Sequence, residues 1–91
     1  MAWNIEFERA AEKELDKIDS QDASRILRFL SERIVMAEDP RSFGEPLKGS
    51  KFRNLWKYRV GEYRLICRIE DQTIRIIIVK IGPRREVYRS G

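Results

Sequence analysis

The chain contains no histidine and a single cysteine, Cys67. Without histidine, zinc sites built on imidazole, Ser-His-Asp triads and His-based acid–base catalysis are excluded. One cysteine cannot close an internal disulfide, which fits a reducing cytosol. The expected role of Cys67 is that of a small buried hydrophobe. No apolar run, Ile76–Val79 included, exceeds four residues, so no stretch is long enough to cross a bilayer as a helix. The opening Met-Ala-Trp-Asn-Ile-Glu has neither the basic nor the apolar region of a secretory signal. The expectation is a soluble cytoplasmic protein with no membrane partner. At 91 residues the chain is expected to fold as one domain over 1–91 with a modest core. Chemistry is then expected on an open face, since a deep cavity has little room.

Charge, by contrast, is plentiful: 37% of residues are charged and the formal net charge is +4. It is unevenly spread. Residues 1–47 hold 7 basic and 11 acidic side chains, a net of −4, and residues 48–91 hold 12 and 4, a net of +8. A basic half beside an acidic one suits a surface that meets a polyanion, although a mixed-charge solvated surface would read similarly.

The apolar pattern changes period along the chain. Trp3, Ile5 and Phe7 alternate with polar residues, as in a strand with one buried face. Ala11, Leu15 and Ile18 then follow helical spacing from Glu8 to Ile18. Asp19–Asp22 breaks that helix, with Ser20 or Asp22 as expected cap of the next. The second helix is expected to run to about Glu38, with Ala23, Ile26, Leu27, Leu30 and Ile34 as its stripe, and Asp39-Pro40 as its stop. Residues 39–54 read as a loop. Leu55–Val60, Tyr63–Ile69 and Thr73–Ile81 read as strands joined by tight turns at Gly61-Glu62 and Glu70–Gln72. The fold class is α+β: β-α-α-β-β-β, an antiparallel twisted sheet with a helical hairpin packed on one face.

Alternation assigns the faces of that sheet. Trp56, Tyr58, Val60, Tyr63, Leu65, Cys67, Ile69, Ile74, Ile76, Ile78 and Lys80 share the side the helices cover. Lys57, Arg59, Arg64, Ile66, Arg68, Arg75, Ile77 and Ile81 share a face expected to be open to water. Lys57, Arg59 and Arg64 repel one another and are tolerated best beside an anion. Arg68 and Arg75 are expected to lie along the sheet on their aliphatic stems. Lys48, Lys51 and Arg53 make the 39–54 loop basic, and such loops grip phosphates.

"EPLKGSKFRNLWKYRVGEYRLICRI" followed by "VKIGPRREVY" resembles the RelE/ParE superfamily of toxins from toxin–antitoxin systems, RelE-type members above all. The resemblance extends over the whole chain. It implies a ribosome-dependent mRNA endonuclease that inhibits translation, with a metal-free, cofactor-free site built from Lys, Arg and Tyr. Carried over by position, Lys57 and Arg59 match the two basic residues of the first meander strand, and Arg64 the arginine after the hairpin turn. Arg84 matches the arginine after the terminal glycine, and Tyr88 the tyrosine of the final "VY". Lys48, Lys51, Arg53 and Arg85 are the accompanying RNA-binding candidates. Many relatives carry His between that glycine and arginine, where Pro83 stands here. Implied partners are a cognate antitoxin, the ribosomal A site and mRNA, with a hetero-oligomeric toxin–antitoxin complex that binds DNA through the antitoxin. The superfamily also contains ParE-type inhibitors of DNA gyrase, and a degenerate, RNA-binding homologue is a third alternative. The Gly82-Pro83 pair reads as the turn that carries the chain out of its last strand.

Overall fold

A computed structural model of the protein describes residues 2–48 and 54–83. Its elements in chain order are strand β1 (Asn4–Phe7), helix α1 (Arg9–Lys17), helix α2 (Ser20–Phe29), strands β2 (Glu45–Pro46), β3 (Leu55–Val60), β4 (Tyr63–Glu70) and β5 (Arg75–Pro83). The sheet order is β1-β5-β4-β3-β2. Helices and sheet form the expected α+β arrangement. β3, β4 and β5 form the antiparallel meander, but β1 joins β5 in parallel, so the sheet is mixed. The two-residue β2, within the stretch read as loop, adds an antiparallel edge to β3.

The helices begin and end for local reasons that differ in detail from the sequence reading. Asp19, rather than Ser20 or Asp22, caps α2, its carboxylate accepting from the Gln21 N–H at 3.0 Å. After Phe29 the helix widens into one π turn, Leu30–Ile34, in which Val35 N–H bonds the Leu30 carbonyl. It ends there, short of Glu38. Trp3 captures the freed carbonyls: its backbone N–H donates to Val35 O at 2.7 Å and its indole N–H to Ala37 O at 3.1 Å. Ile26, Leu30 and Ile34 are buried, whereas Leu27 is 46% exposed. It lies about 100° around the helix from Ile26, beyond the row that meets the sheet.

The helices cover a core of Tyr58, Val60, Leu65, Cys67, Ile69, Ile76, Ile78 and Ile81. Phe29 meets Tyr58 edge-on at 5.5 Å between ring centroids. The β3–β4 turn is tight because Gly61 adopts φ +60°, a left-handed value that suits glycine.

One irregularity reorders the end of β5. The β4 partners Ile66 and Cys67 pair with Lys80 and Ile78, so Val79 is an extra residue in a bulge. Beyond it the faces exchange. Ile81 falls into the core and Lys80 opposite Ile66, the reverse of unbroken alternation. β1 ends at Phe7, opposite Ile78, and the edge of β5 beyond that point is met by Glu14 of α1. Its carboxylate accepts the Ile81 N–H at 2.9 Å and stands 3.8 Å from Lys80 Nζ. Gly82 and Pro83 are not a turn: β5 continues through both, paired with Arg64 and Tyr63. Proline is tolerated at such a strand end because, by alternation from Ile81, its missing N–H lies on the side β1 has left.

Candidate functional site

β3 and β4 bring three of the expected site residues together. Lys57 and Arg59 lie two apart on β3, hence on one face. Arg64 on β4 is the direct cross-strand partner of Arg59. Directly opposed side chains of like charge destabilise a sheet, so this pair favours an anion nearby. Gly82 is the β5 partner of Arg64 and puts no side chain beside the guanidinium. The face is less open than expected: Arg64 is 3% exposed, and Ile66 and Ile77 are buried too. Arg59 is exposed and Lys57 partly so.

The segment from Asp39 to Pro46 forms the facing wall. Its first part is a 3-10 turn, Pro40–Phe43, capped by the Asp39 carboxylate accepting from Arg41 N–H at 3.1 Å. Several contacts fix it. The buried Tyr58 hydroxyl donates to Pro40 O at 2.9 Å. Arg41 forks onto Asp71 at 3.0 and 2.7 Å and lies 5.8 Å over the Trp56 ring. Gly44 lies so close to β3 that a Cβ there would stand 2.6 Å from Lys57 O. Next to it, Glu45 pairs with Lys57 in strand register, with its Oε2 3.6 Å from Lys57 Nζ. Between the walls is a cleft of about 300 Å³ lined by Ser42, Phe43, Gly44, Glu45, Lys57, Tyr58, Arg59 and Arg64.

Lys48 is exposed, just past β2, and is not among the described residues lining the cleft. Lys51, Arg53, Arg84, Arg85 and Tyr88 lie outside the described residues. Arg68 and Arg75, expected to lie along the sheet on their stems, are instead seen paired with carboxylates. Arg68 stands 3.5 Å from both Glu8 and Glu70, and Arg75 is 2.7 Å from Glu70 and 3.5 Å from Glu6. Tyr58 and Cys67 belong to the core. Burial raises the pKa of both, the thiol to about 12, so neither is a nucleophile or base near neutral pH. Phe43 and Glu45 are among the cleft residues that sequence reasoning missed, with Ser42 and Gly44. Their segment has a loop's composition; Glu45 comes to Lys57 through its register on β3, and Phe43 lines the cleft from the end of the anchored 3-10 turn.

A sequence model of the family described as "ParE toxin of type II toxin-antitoxin system, parDE" matches residues 5–88 of this chain. Among curated proteins, the chain is similar to the mRNA interferase toxin RelE of Escherichia coli (strain K12). The two are 29% identical over 93 aligned residues, covering 100% of this chain and 95% of that protein. It is 25% identical to toxin RelG of Mycobacterium tuberculosis over 98% of this chain and 99% of that protein. The fold is shared with a chain of the crystal structure of the toxin–antitoxin complex RelBE2 from Mycobacterium tuberculosis. There the TM-score is 0.82 at 23% identity, covering 92% of this chain and 93% of that one.

Proposed function

The chain belongs to the ParE toxin family of type II toxin–antitoxin systems, within the RelE/ParE superfamily, and from that premise we propose that it is an endoribonuclease toxin that cuts mRNA on the ribosome. The observation that carries this reading is the cleft in which Lys57, Arg59 and Arg64 converge on one wall. The name of the Escherichia coli relative, an mRNA interferase, supports it.

The chemistry that fits these residues is internal transesterification. The ribose 2′-oxygen attacks the adjacent phosphorus, the P–O5′ bond breaks, and the 2′-OH proton is removed while one is delivered to the departing 5′-oxygen. The products are a 2′,3′-cyclic phosphate, opened by water to a 3′-phosphate, and a 5′-OH. Arg64 stabilises the charge gathering on the phosphoryl oxygens, because a guanidinium is always charged and its forked donors match them. Its burial strengthens that interaction. Lys57 and Arg59 take phosphate oxygens. Arg84 and Tyr88 complete the set in this proposal, with Arg84 at the leaving oxygen and Tyr88 as base or as a stacking surface. As the family resemblance implies, the ribosome positions the codon. The chain is held inactive by a cognate antitoxin.

Inducing the protein in cells and mapping mRNA ends by primer extension tests the reading. Cuts within translated codons, absent with Arg64→Ala, are expected. Double-strand DNA breaks with intact mRNA would replace the reading by gyrase inhibition, and unaffected growth, mRNA and DNA by a degenerate homologue.

A further inference from the structure

Three large apolar side chains stand exposed among the described residues: Leu27, Met36 and Phe43. Of these, only Phe43 lines the cleft. A single exposed hydrophobe needs no explanation by itself. Phe43, however, ends the 3-10 turn that Tyr58, Arg41, Asp71 and Trp56 tie down, and Gly44 seats the next residue flush on β3. The ring, 41% exposed, is therefore an aromatic surface on an anchored wall of the cleft that Lys57, Arg59 and Arg64 also line. A ligand that offers phosphates to three cations and a flat π-face to one fixed aromatic is a nucleotide.

We infer that Phe43 is a stacking platform for one base of the RNA in the cleft, with Lys57, Arg59 and Arg64 on the neighbouring phosphates. This rests on reading the cleft as an RNA-cleaving site. Stacking on an aromatic surface contributes about 1–3 kcal/mol per base as judged by alanine substitution. Because the turn is fixed beforehand, little ordering cost is set against that gain. The platform selects nothing by hydrogen bonding; it fixes the plane of one base and so the direction of the ribose that follows.

The test is single-turnover cleavage of mRNA on programmed ribosomes, with the intact codon and with each codon base in turn made abasic. Phe43→Ala is expected to slow cleavage of the intact codon about tenfold. Phe43→Tyr, which keeps the π-face, should stay near wild type. Phe43→Leu, which keeps apolar bulk without the face, should fall with Phe43→Ala. At one codon position the abasic substitution should cost the wild type a similar factor and Phe43→Ala nothing further. Full cleavage by Phe43→Leu, or losses that multiply at every position, would overturn the platform while leaving the nuclease reading intact. The platform is likewise overturned if Phe43→Ala weakens antitoxin binding and leaves cleavage unchanged. If the wild type itself leaves the mRNA uncut, the nuclease reading falls and the platform with it.

Discussion

Gly44 has φ −139°, extended backbone open to any residue, so its need for glycine is a matter of space. A Cβ would meet Lys57 O at 2.6 Å and the Tyr58 ring at 2.8 and 2.9 Å. Two of these neighbours cannot withdraw cheaply: one is strand backbone, and the other is a core ring held by its bond to Pro40. Gly44→Ala is expected to destabilise the fold by roughly 1–3 kcal/mol, as overpacking does, read as a lower urea midpoint. It should also lift the 3-10 turn from β3, opening the cleft and separating Glu45 from Lys57. An unchanged midpoint would show that the wall moves freely.

At the scale of elements, two contacts set where the site stands. Glu14 gives the bulged end of β5 an acceptor for the Ile81 N–H. Glu14→Ala leaves that donor unmet and is expected to cost about 1 kcal/mol; Glu14→Gln, which retains a carbonyl oxygen, should cost less. Chemical denaturation of the pair checks this. Arg41 with Asp71 ties the cleft wall to the β4–β5 turn. The guanidinium holds the Asp71 carboxyl below the ordinary carboxylate pKa. A depressed folded-state pKa stabilises above the unfolded value, near 3.9, and that stabilisation is lost as pH falls through the folded value. Asp71→Asn should therefore lower Tm at pH 7, and the gap to wild type should close well below pH 4. Equal losses at both pH values would mean that the carboxylate's charge plays no part.

These elements also show what could be read in advance. Ala11, Ile26, Leu30 and Ile34 on the helices, and Tyr58, Leu65 and Cys67 on the strands, announced the buried faces by period alone. So did the grouping of Lys57 and Arg59 on β3. The Val79 bulge was not legible, because alternation carries no mark of an extra residue, and Lys80 and Ile81 were thus placed on each other's faces. The parallel partnership of β1 with β5 depends on contacts between the two ends of the described chain. Phe43 and Glu45 were hidden for a similar reason, since neither a single 3-10 turn nor a two-residue strand has a period of its own. Arg64 was found by alternation, but its burial was not.

At the scale of the molecule, cations of the basic half outside the cleft are also paired with carboxylates. Arg68, Arg75 and Lys80 meet carboxylates supplied by Glu6 on β1, Glu8 beside it, Glu14 on α1 and Glu70 on β4. These pairs are largely exposed and individually weak, and in the cleft Lys57 has a similar neighbour in Glu45. Association with programmed ribosomes should weaken as salt rises. Lys57→Gln or Arg59→Gln should each flatten the log–log slope by about 1. Lys13→Gln, at an exposed site in the acidic half, should leave the slope unchanged. Equal flattening by all three would mean that the whole surface, rather than the cleft, meets the RNA.

The central claim is that the cleft cuts RNA through the charge of Arg64. The direct measurement is the chemistry of the mRNA ends made by purified protein on programmed ribosomes. The account predicts a 2′,3′-cyclic or 3′-phosphate and a 5′-hydroxyl at codon cuts. It also predicts a cleavage rate about 10²–10³-fold lower for Arg64→Ala, with an unchanged circular dichroism spectrum. Cleavage at the wild-type rate by a folded Arg64→Ala, or products ending in a 5′-phosphate, would contradict it.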